Sequence, residues 1–421
     1  MKKLLVLLVV LFVSVFALAE VLWVSTQFHP AAEQEFIKGT LLPGFESATG
    51  IKVKFLDLTY EQASTRIRAE QEAGKVVIDL FADLQAGIDM LGAAGMLTDL
   101  SGYTFEDRTF IAALEQYGFN YGIKQFVPLM QATYVMMVNK RAFDYLPDGL
   151  TREDVESAAP NWTYEALLKW AKGLNEATGK KLLGFPQGPG GLWHRFLHGH
   201  IYPSYTGAQV VNFNSDDAVE MWKYMIELNK YVNPASSAWS SMQEPLLRDE
   251  VWIAWDHTAR LGEAPKIRPD DFVAVPSPAG PKGRGSITVL AGLAIPKNAP
   301  NVEEAVALID YLTHPDVQVQ IVEKVGFFPI VVEAADFIPE GPMRVIAAGV
   351  VSQSGASDAV AAFIPGLGPL GGEYSSMYRD AFTRIVIRGE DIRKVINEVG
   401  PEIMKLFEDQ GAPLPLPDIG L

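Results

Sequence analysis

From Glu20 onward the chain alternates short apolar stretches with longer amphipathic ones, and that alternation restricts it to an α/β architecture. Residues 20–27 read as an apolar strand ending in polar residues, and 31–46 as a helix. Thr49-Gly50 punctuates, and 51–55 alternates apolar with polar, as a half-buried strand does. A helix is expected over 60–72, closed by Gly74, then a strand over 76–81 and a helix over 88–94 capped by Gly95. Strands that alternate with helices predict a largely parallel sheet covered on both faces. Ligands of such sheets sit beyond the carboxyl ends of the strands, here residues 25–28 and 82–85.

The rest of the chain keeps the style with longer helices. One is expected over 163–177 with Thr163 as its N-cap, and another over 215–232, stopped by Asn233-Pro234. Residues 251–255 read as a buried strand running into the polar loop Asp256-His257-Thr258. A strand over 272–276 leads into a Pro/Gly-rich loop, 277–285. A strand over 287–295 and a helix over 302–312 follow, then two helices in 374–407 joined at Gly389, and a stiff extended end at 413–417.

The first 19 residues belong to a different pattern. Lys2 and Lys3 precede an apolar run over 4–16, and Ala17-Leu18-Ala19 supplies small residues at the positions a signal peptidase reads. This is a secretory signal peptide with cleavage expected before Glu20. The run is too short for a membrane span, which takes about 20 apolar residues. There are no cysteines, which excludes disulfides, thiolate metal sites, a cysteine nucleophile and lipid attachment at an N-terminal cysteine. The expected location is therefore periplasmic or extracellular. Without Lys2 and Lys3, 33 basic residues face 51 acidic ones, a formal charge of −18. Such a surface repels nucleic acid and anionic membranes. The remaining length exceeds one ordinary core, so at least two domains are expected.

Several short motifs recur in a recognisable order. They are Phe45-Glu-Ser-Ala-Thr-Gly-Ile-Lys-Val53, Asp79-Leu-Phe81 leading to Ala93-Ala-Gly-Met-Leu97, Val127-Pro128 with Val138-Asn-Lys140, and Trp162-Thr-Tyr-Glu-Ala-Leu-Leu168. Leu293-Ala-Ile-Pro-Lys297, Gly326-Phe-Phe-Pro329 and Ile387-Arg-Gly-Glu-Asp391 follow. In this order and spacing the chain resembles the family 1 extracellular solute-binding proteins of ABC sugar importers, the maltose-binding-protein-like group. The resemblance covers nearly everything after residue 19. It implies a type II periplasmic-binding-protein fold, two α/β lobes with a ligand cleft between them. One lobe would hold 20–130 with 288–330, the other 131–287 with 331–421. The loop 277–285 fits a return crossing, and hinge bending would close the cleft. The implied partners are a small-molecule sugar and the membrane permease of the importer, met by a monomer without cofactor, metal or catalytic residues.

Matching to the family places Gln27 and Phe28 at the first strand end, Asp83 and Gln85 in a ligand loop, and Gln131 with Ala132 at a crossover. Ala132 departs from the pattern, since the sugar-binding relative has a carboxylate there. Gln187, Trp193 and His194 fall on another ligand-facing loop, Trp255 and Asp256 on the loop of a stacking tryptophan, Tyr374 near the last stacking aromatic, and Trp239 more loosely nearby. Amides and carboxylates suit sugar hydroxyls, and flat rings suit the apolar face of a sugar. Trp255 serves equally as core or as platform; Trp23 and Trp222 read as core; Trp193, in a Gly-rich loop, reads as a contact.

His194, His198 and His200 cluster, but no glutamate follows His194 as a zinc protease requires, so they read as solvated or capping histidines. Neither a nucleophile elbow, a P-loop nor a dinucleotide fingerprint is present. A glycoside hydrolase with paired carboxylates, a scaffold with a decayed cleft, and a binder of another solute such as glycerol phosphate stay open. The amides and acids favour a neutral mono- or oligosaccharide, with Arg195 and Arg260 as the contrary signal.

Overall fold

The computed structural model describes residues 20–421 apart from positions 336, 339 and 420, so the signal-peptide segment 1–19 lies outside the described residues. The strands are β1 (Glu20–Ser25), β2 (Lys52–Asp57), β3 (Leu80–Leu84), β4 (Phe119–Asn120), β5 (Ile123–Lys124) and β6 (Val127–Asn139). They continue with β7 (Leu183–Gly184), β8 (Ile253–His257), β9 (Phe272–Val275), β10 (Arg284–Ala294) and β11 (Ala359–Phe363). The main sheet runs β2-β1-β3-β10-β6-β8-β7, with β11 added on β10 and β9 on β6, while β4 and β5 pair apart.

Two strands belong to both halves of this sheet. β6 pairs with β10 over Val127 to Thr133 and with β8 over Tyr134 to Val138. β10 pairs with β11 over Arg284 to Thr288 and with β3 over Ala291 to Ala294. Every residue of β6 is buried, which its near-continuous apolar run requires of a strand covered on both faces. The β6–β10 ladder shifts register between Ala291 and Gly292, opposite Met130 and Pro128. Proline cannot donate to a ladder, so an irregularity belongs there.

Each half has its own apolar packing. Around β1 to β3 it is built on Trp23, Phe45, Ile67, Phe81 and Leu308. Around β7 to β9 it is built on Trp162, Trp170, Trp222, Trp255 and Met242. Trp222 is core, as expected, and its Nε1 donates to Tyr202 Oη at 2.9 Å.

Local signals hold well where caps are explicit. The helix Tyr60–Glu72 starts at a Thr59/Gln62 capping box. The helix Tyr164–Thr178 starts at Thr163 and ends at Gly179 with φ 70°. Elsewhere the structure differs. The helix expected over 31–46 is broken by a π turn at Ile37–Leu41, which contains Gly39. The strand expected over 76–81 begins only at Leu80, because Asp79 turns inward to accept from the backbone N–H groups of Leu22 (2.8 Å) and Asn301 (2.9 Å). The loop 277–285 is not the return crossing. Gly280 and Gly283 bridge each other in a tight turn, and β10 itself makes the crossing. Among the described residues, no helix is long and apolar enough to cross a membrane.

Candidate functional site

The ends of β1 and β3 build the first face of the junction between the halves. Thr26 Oγ1 donates to Asp83 Oδ1, and Gln27 Nε2 donates to Thr26 O at 3.1 Å. Phe28 holds φ at 70°, rare for a bulky residue, and is kept there by an edge-on contact with Trp23 at 6.2 Å. Asp83 is buried, and burial pushes its carboxyl up to about 6 against the Thr26 hydroxyl and the Leu84 N–H. Its Oδ2 has no partner. Gly87 is what admits this carboxylate at the start of the helix Gln85–Ala93, since an added Cβ would lie 1.8 Å from Oδ2. Leu84, the next residue after Asp83, packs on the core of the second half.

The crossing strands form the floor. Gln131 Nε2 donates to Pro329 O at 3.0 Å, and Thr133 Oγ1 to Ile287 O at 2.7 Å. Tyr134 stacks on Trp255, with centroids 4.8 Å apart and planes 9° apart, and meets His257 edge-on at 4.9 Å. Burial, ahead of the Arg195 charge that opposes it, raises the Tyr134 hydroxyl to about 12.

The second face starts from the Gly-rich loop 188–192. Gly190 has φ 74°, and a Cβ on Gly191 would lie 2.0 Å from Pro186 O, so the turn demands both glycines. The loop offers its carbonyls to two arginines from distant segments. Arg260 Nη1 donates to Gly190 O (3.3 Å) and Ser240 O (2.7 Å), and Arg379 Nη2 donates to Gly191 O (3.0 Å). The loop then enters the helix Trp193–Phe196 and the π turn Leu197–Ile201.

Trp193 is buried, stacked on Phe196 at 4.9 Å and edged by Phe382 at 5.3 Å. His194 is buried too, its Nδ1 against Arg379 Nη2 at 2.7 Å. Burial first, then Arg195, Arg379 and Arg260, lower its imidazole to about 2. The expectation of solvated or capping histidines is thereby corrected. His194, His198 and His200 are all buried in the aromatic cluster, because the residues around them (Trp193, Phe196, Leu197, Ile201) make this segment a core-facing one. Among the described residues, no group of three His, Asp or Glu side chains is arranged to hold a metal ion.

Trp255 is fully buried between Tyr134, Phe196 (5.2 Å) and His200 (5.1 Å). Asp256 accepts from the backbone N–H groups of Met242 (2.9 Å) and His257 (2.7 Å), and burial raises its carboxyl to about 6. Tyr374 is buried against His198 at 5.1 Å. Gln187 sits on the same loop with its Nε2 unpartnered. Trp239 accepts from Gly188 N–H at 2.8 Å through its carbonyl and lies at the rim of the second half. The structure thus brings Gln187, Trp193, His194, Trp255, Asp256 and Tyr374 together in one half, and Gln27, Phe28, Asp83 and Gln85 in the other, with Gln131 between.

A cavity of about 480 Å³ opens between Gln85, Asp89 and Tyr117 on one side and Phe363, Pro365 and Leu416 on the other, and of the candidate residues it is lined by Gln85 alone. Gln85 Nε2 already donates to Asp89 there. The aromatic cluster instead holds Gln187 Nε2, Trp193 Nε1, Arg195 Nε, His198 Nε2, His200 Nδ1, Trp255 Nε1, Thr258 Oγ1 and Tyr374 Oη without partners. Buried polar atoms left unpaired are costly, and their concentration marks the candidate site. Sequence reading missed Tyr134 and Arg379. Arg379 lies mid-helix, and nothing local signals its reach to the Gly-rich loop.

Residues 25–319 match the family described as bacterial extracellular solute-binding protein, and the chain belongs to that family. Among curated proteins, none matches it by sequence. Its fold is similar to that of the sugar-binding protein MalE from Xanthomonas citri (TM-score 0.73, 14% identity, covering 93% of this chain and 98% of that one). It is also similar to the cyclic alpha-maltosyl-1,6-maltose binding protein from Arthrobacter globiformis (0.69, 14%, 93% and 99%). A third likeness is to UgpB from Mycobacterium tuberculosis in complex with glycerophosphocholine (0.64, 18%, 93% and 99%). The chain is thus a two-lobed solute-binding protein.

Proposed function

We propose that the chain is the extracytoplasmic substrate-binding component of an ABC importer, and that it captures a carbohydrate at the junction and delivers it to a membrane permease. The lobes would be 20–130 with 288–330 and 131–287 with 331–421; in support, β6 changes partner between Thr133 and Tyr134, and β10 between Thr288 and Ala291, within a few residues of these bounds. The protein would act as a secreted monomer, cleaved before Glu20. The observation that carries the reading is the set of unpartnered polar atoms beside the two crossing strands. A ligand there touches both halves and favours the state in which they are closed. Two of the structural neighbours named above bind sugars, which supports a carbohydrate.

Small-angle scattering with and without saturating ligand tests the closing motion, with a smaller radius of gyration expected on binding. A thermal-shift panel of sugars tests the class. A binder is stabilised and returns its ligand intact, whereas turnover would make it an enzyme and no response would make it a scaffold.

A further inference from the structure

The unpartnered atoms of the second face share a chemical bias. Trp193 Nε1, Arg195 Nε and Trp255 Nε1 can only donate. His198 joins them once its tautomer is fixed. Gln209 Oε1 accepts from Phe363 N–H (3.0 Å), which orients the amide so that its Nε2 donates to Phe363 O (2.9 Å) and to His198 Nδ1 (3.2 Å). His200 Nε2 accepts from Ile287 N–H at 3.4 Å. Burial first holds both rings neutral, His198 well below its ordinary value and His200 at about 3. His198 therefore carries its proton on the unpartnered Nε2. Thr258 and Tyr374 add hydroxyls that also donate. The carboxylate acceptors Asp83 Oδ2 and Asp89 Oδ1 lie on the opposite face.

Charge points the same way. Among the described residues, Arg195, Arg260 and Arg379 have no carboxylate at ion-pairing distance, in a chain with 51 acidic residues to choose from. Arg195 is central to them. Its charge acts on Tyr134, His194, His198, His257, Tyr374 and Arg379. The nearby acid, Asp256, is tied by two backbone N–H groups and also feels the charge of Arg260, which leaves Arg195 and Arg379 as the uncompensated pair. The neutral ligand expected from sequence rested on Gln27, Asp83, Gln85, Gln131, Gln187 and Asp256; Gln27, Gln85, Gln131 and Asp256 bond to protein groups, which leaves Asp83 Oδ2 and Gln187 Nε2 to it.

We propose that the ligand carries an oxyanion, a carboxylate or a phosphoester on its carbon frame, and that Arg195 reads it with Arg260 and Arg379 behind. This rests on the junction being the ligand site. Guanidinium forks and N–H donors match such a group in both charge and hydrogen bonding.

Titration calorimetry on the full chain compares glucose and maltose with glucuronate, galacturonate, glucose 6-phosphate and glycerol 3-phosphate. An acid is expected to bind at least about tenfold tighter than its neutral counterpart, and Arg195→Met to erase that preference while Arg195→Lys retains part of it. Uronates against phosphates separates the two sources of the oxyanion. Binding of glycerol 3-phosphate alone would support the oxyanion and overturn the carbohydrate reading. Equal or tighter binding of neutral sugars, unchanged in Arg195→Met, would overturn the oxyanion and leave the carbohydrate reading standing. Silence from every probe would overturn both. If Arg195→Met melts early, Arg379→Gln, whose side chain is more exposed, gives the same readout.

Discussion

The two faces that meet at the junction differ in what their polar atoms have left to offer. The first, at the ends of β1 and β3, is short, acidic and largely bonded to itself: Gln27 to Thr26, Thr26 to Asp83, Gln85 to Asp89. The second, around the Gly-rich loop and Trp255, is aromatic, rich in donors and only partly bonded. On the function proposed above, the difference teaches that recognition and closure would be divided between the halves, with the second face holding the groups that tell one solute from another. The first has free carboxylate oxygens on Asp83 and Asp89.

The largest test of that division is Trp255→Ala. Trp255 is fully enclosed, so its loss should cost about 3–5 kcal/mol of stability as a large buried aromatic. Urea melts would measure it. The sequence alone leaves core and platform equal for this residue. A near-normal melt with lost affinity would return Trp255 to the role of platform and blur the contrast between packed and free groups.

Next is Asp83→Asn on the first face. The folded carboxyl stands at about 6 against an ordinary 3.8, so the folded state keeps a proton that the unfolded state releases. The associated stability is fully present below about pH 4 and is lost as pH rises through about 6. Removing the charge should therefore stabilise the protein by up to about 3 kcal/mol at pH 8 and hardly at all at pH 4. Melts of both proteins at the two pH values check this, and an equal difference at both would refute it.

The smallest is Thr26→Val, which deletes the hydroxyl that donates to Asp83. About 1 kcal/mol should disappear at neutral pH, and the Asp83 titration, followed by carboxyl NMR, should move further up. No movement would mean that the first face is not bonded to itself as described.

How far the sequence carried these features depended on the range of the interactions. Helix limits at Thr59, Thr163 and Gly179 were legible because caps are local events. The late start of β3 was not, since it depends on Asp79 reaching Leu22 and Asn301, far away in the chain. The same holds at the site. Strand ends located Asp83 and Asp256, because topology places chemistry there. That Asp256 is tied to Met242 and His257 while Asp83 keeps a free oxygen depends on neighbours that no spacing reveals. The histidines misled for a related reason. Their polarity argued for solvent, but the segment that carries them is inserted among aromatics.

The register shift beside Pro128 has a mechanical consequence. A two-stranded ribbon resists stretching along its strands and yields to bending, most easily where rungs of the ladder are missing. Here the missing rung lies on the first-half side, between Ala291 and Gly292, whereas Thr133, bonded to Ile287 O, braces the side of the second half. Compliance is therefore placed off-centre. If the halves move as proposed, bending would concentrate at that one soft rung, and a membrane partner touching both halves would sense the single angle set there.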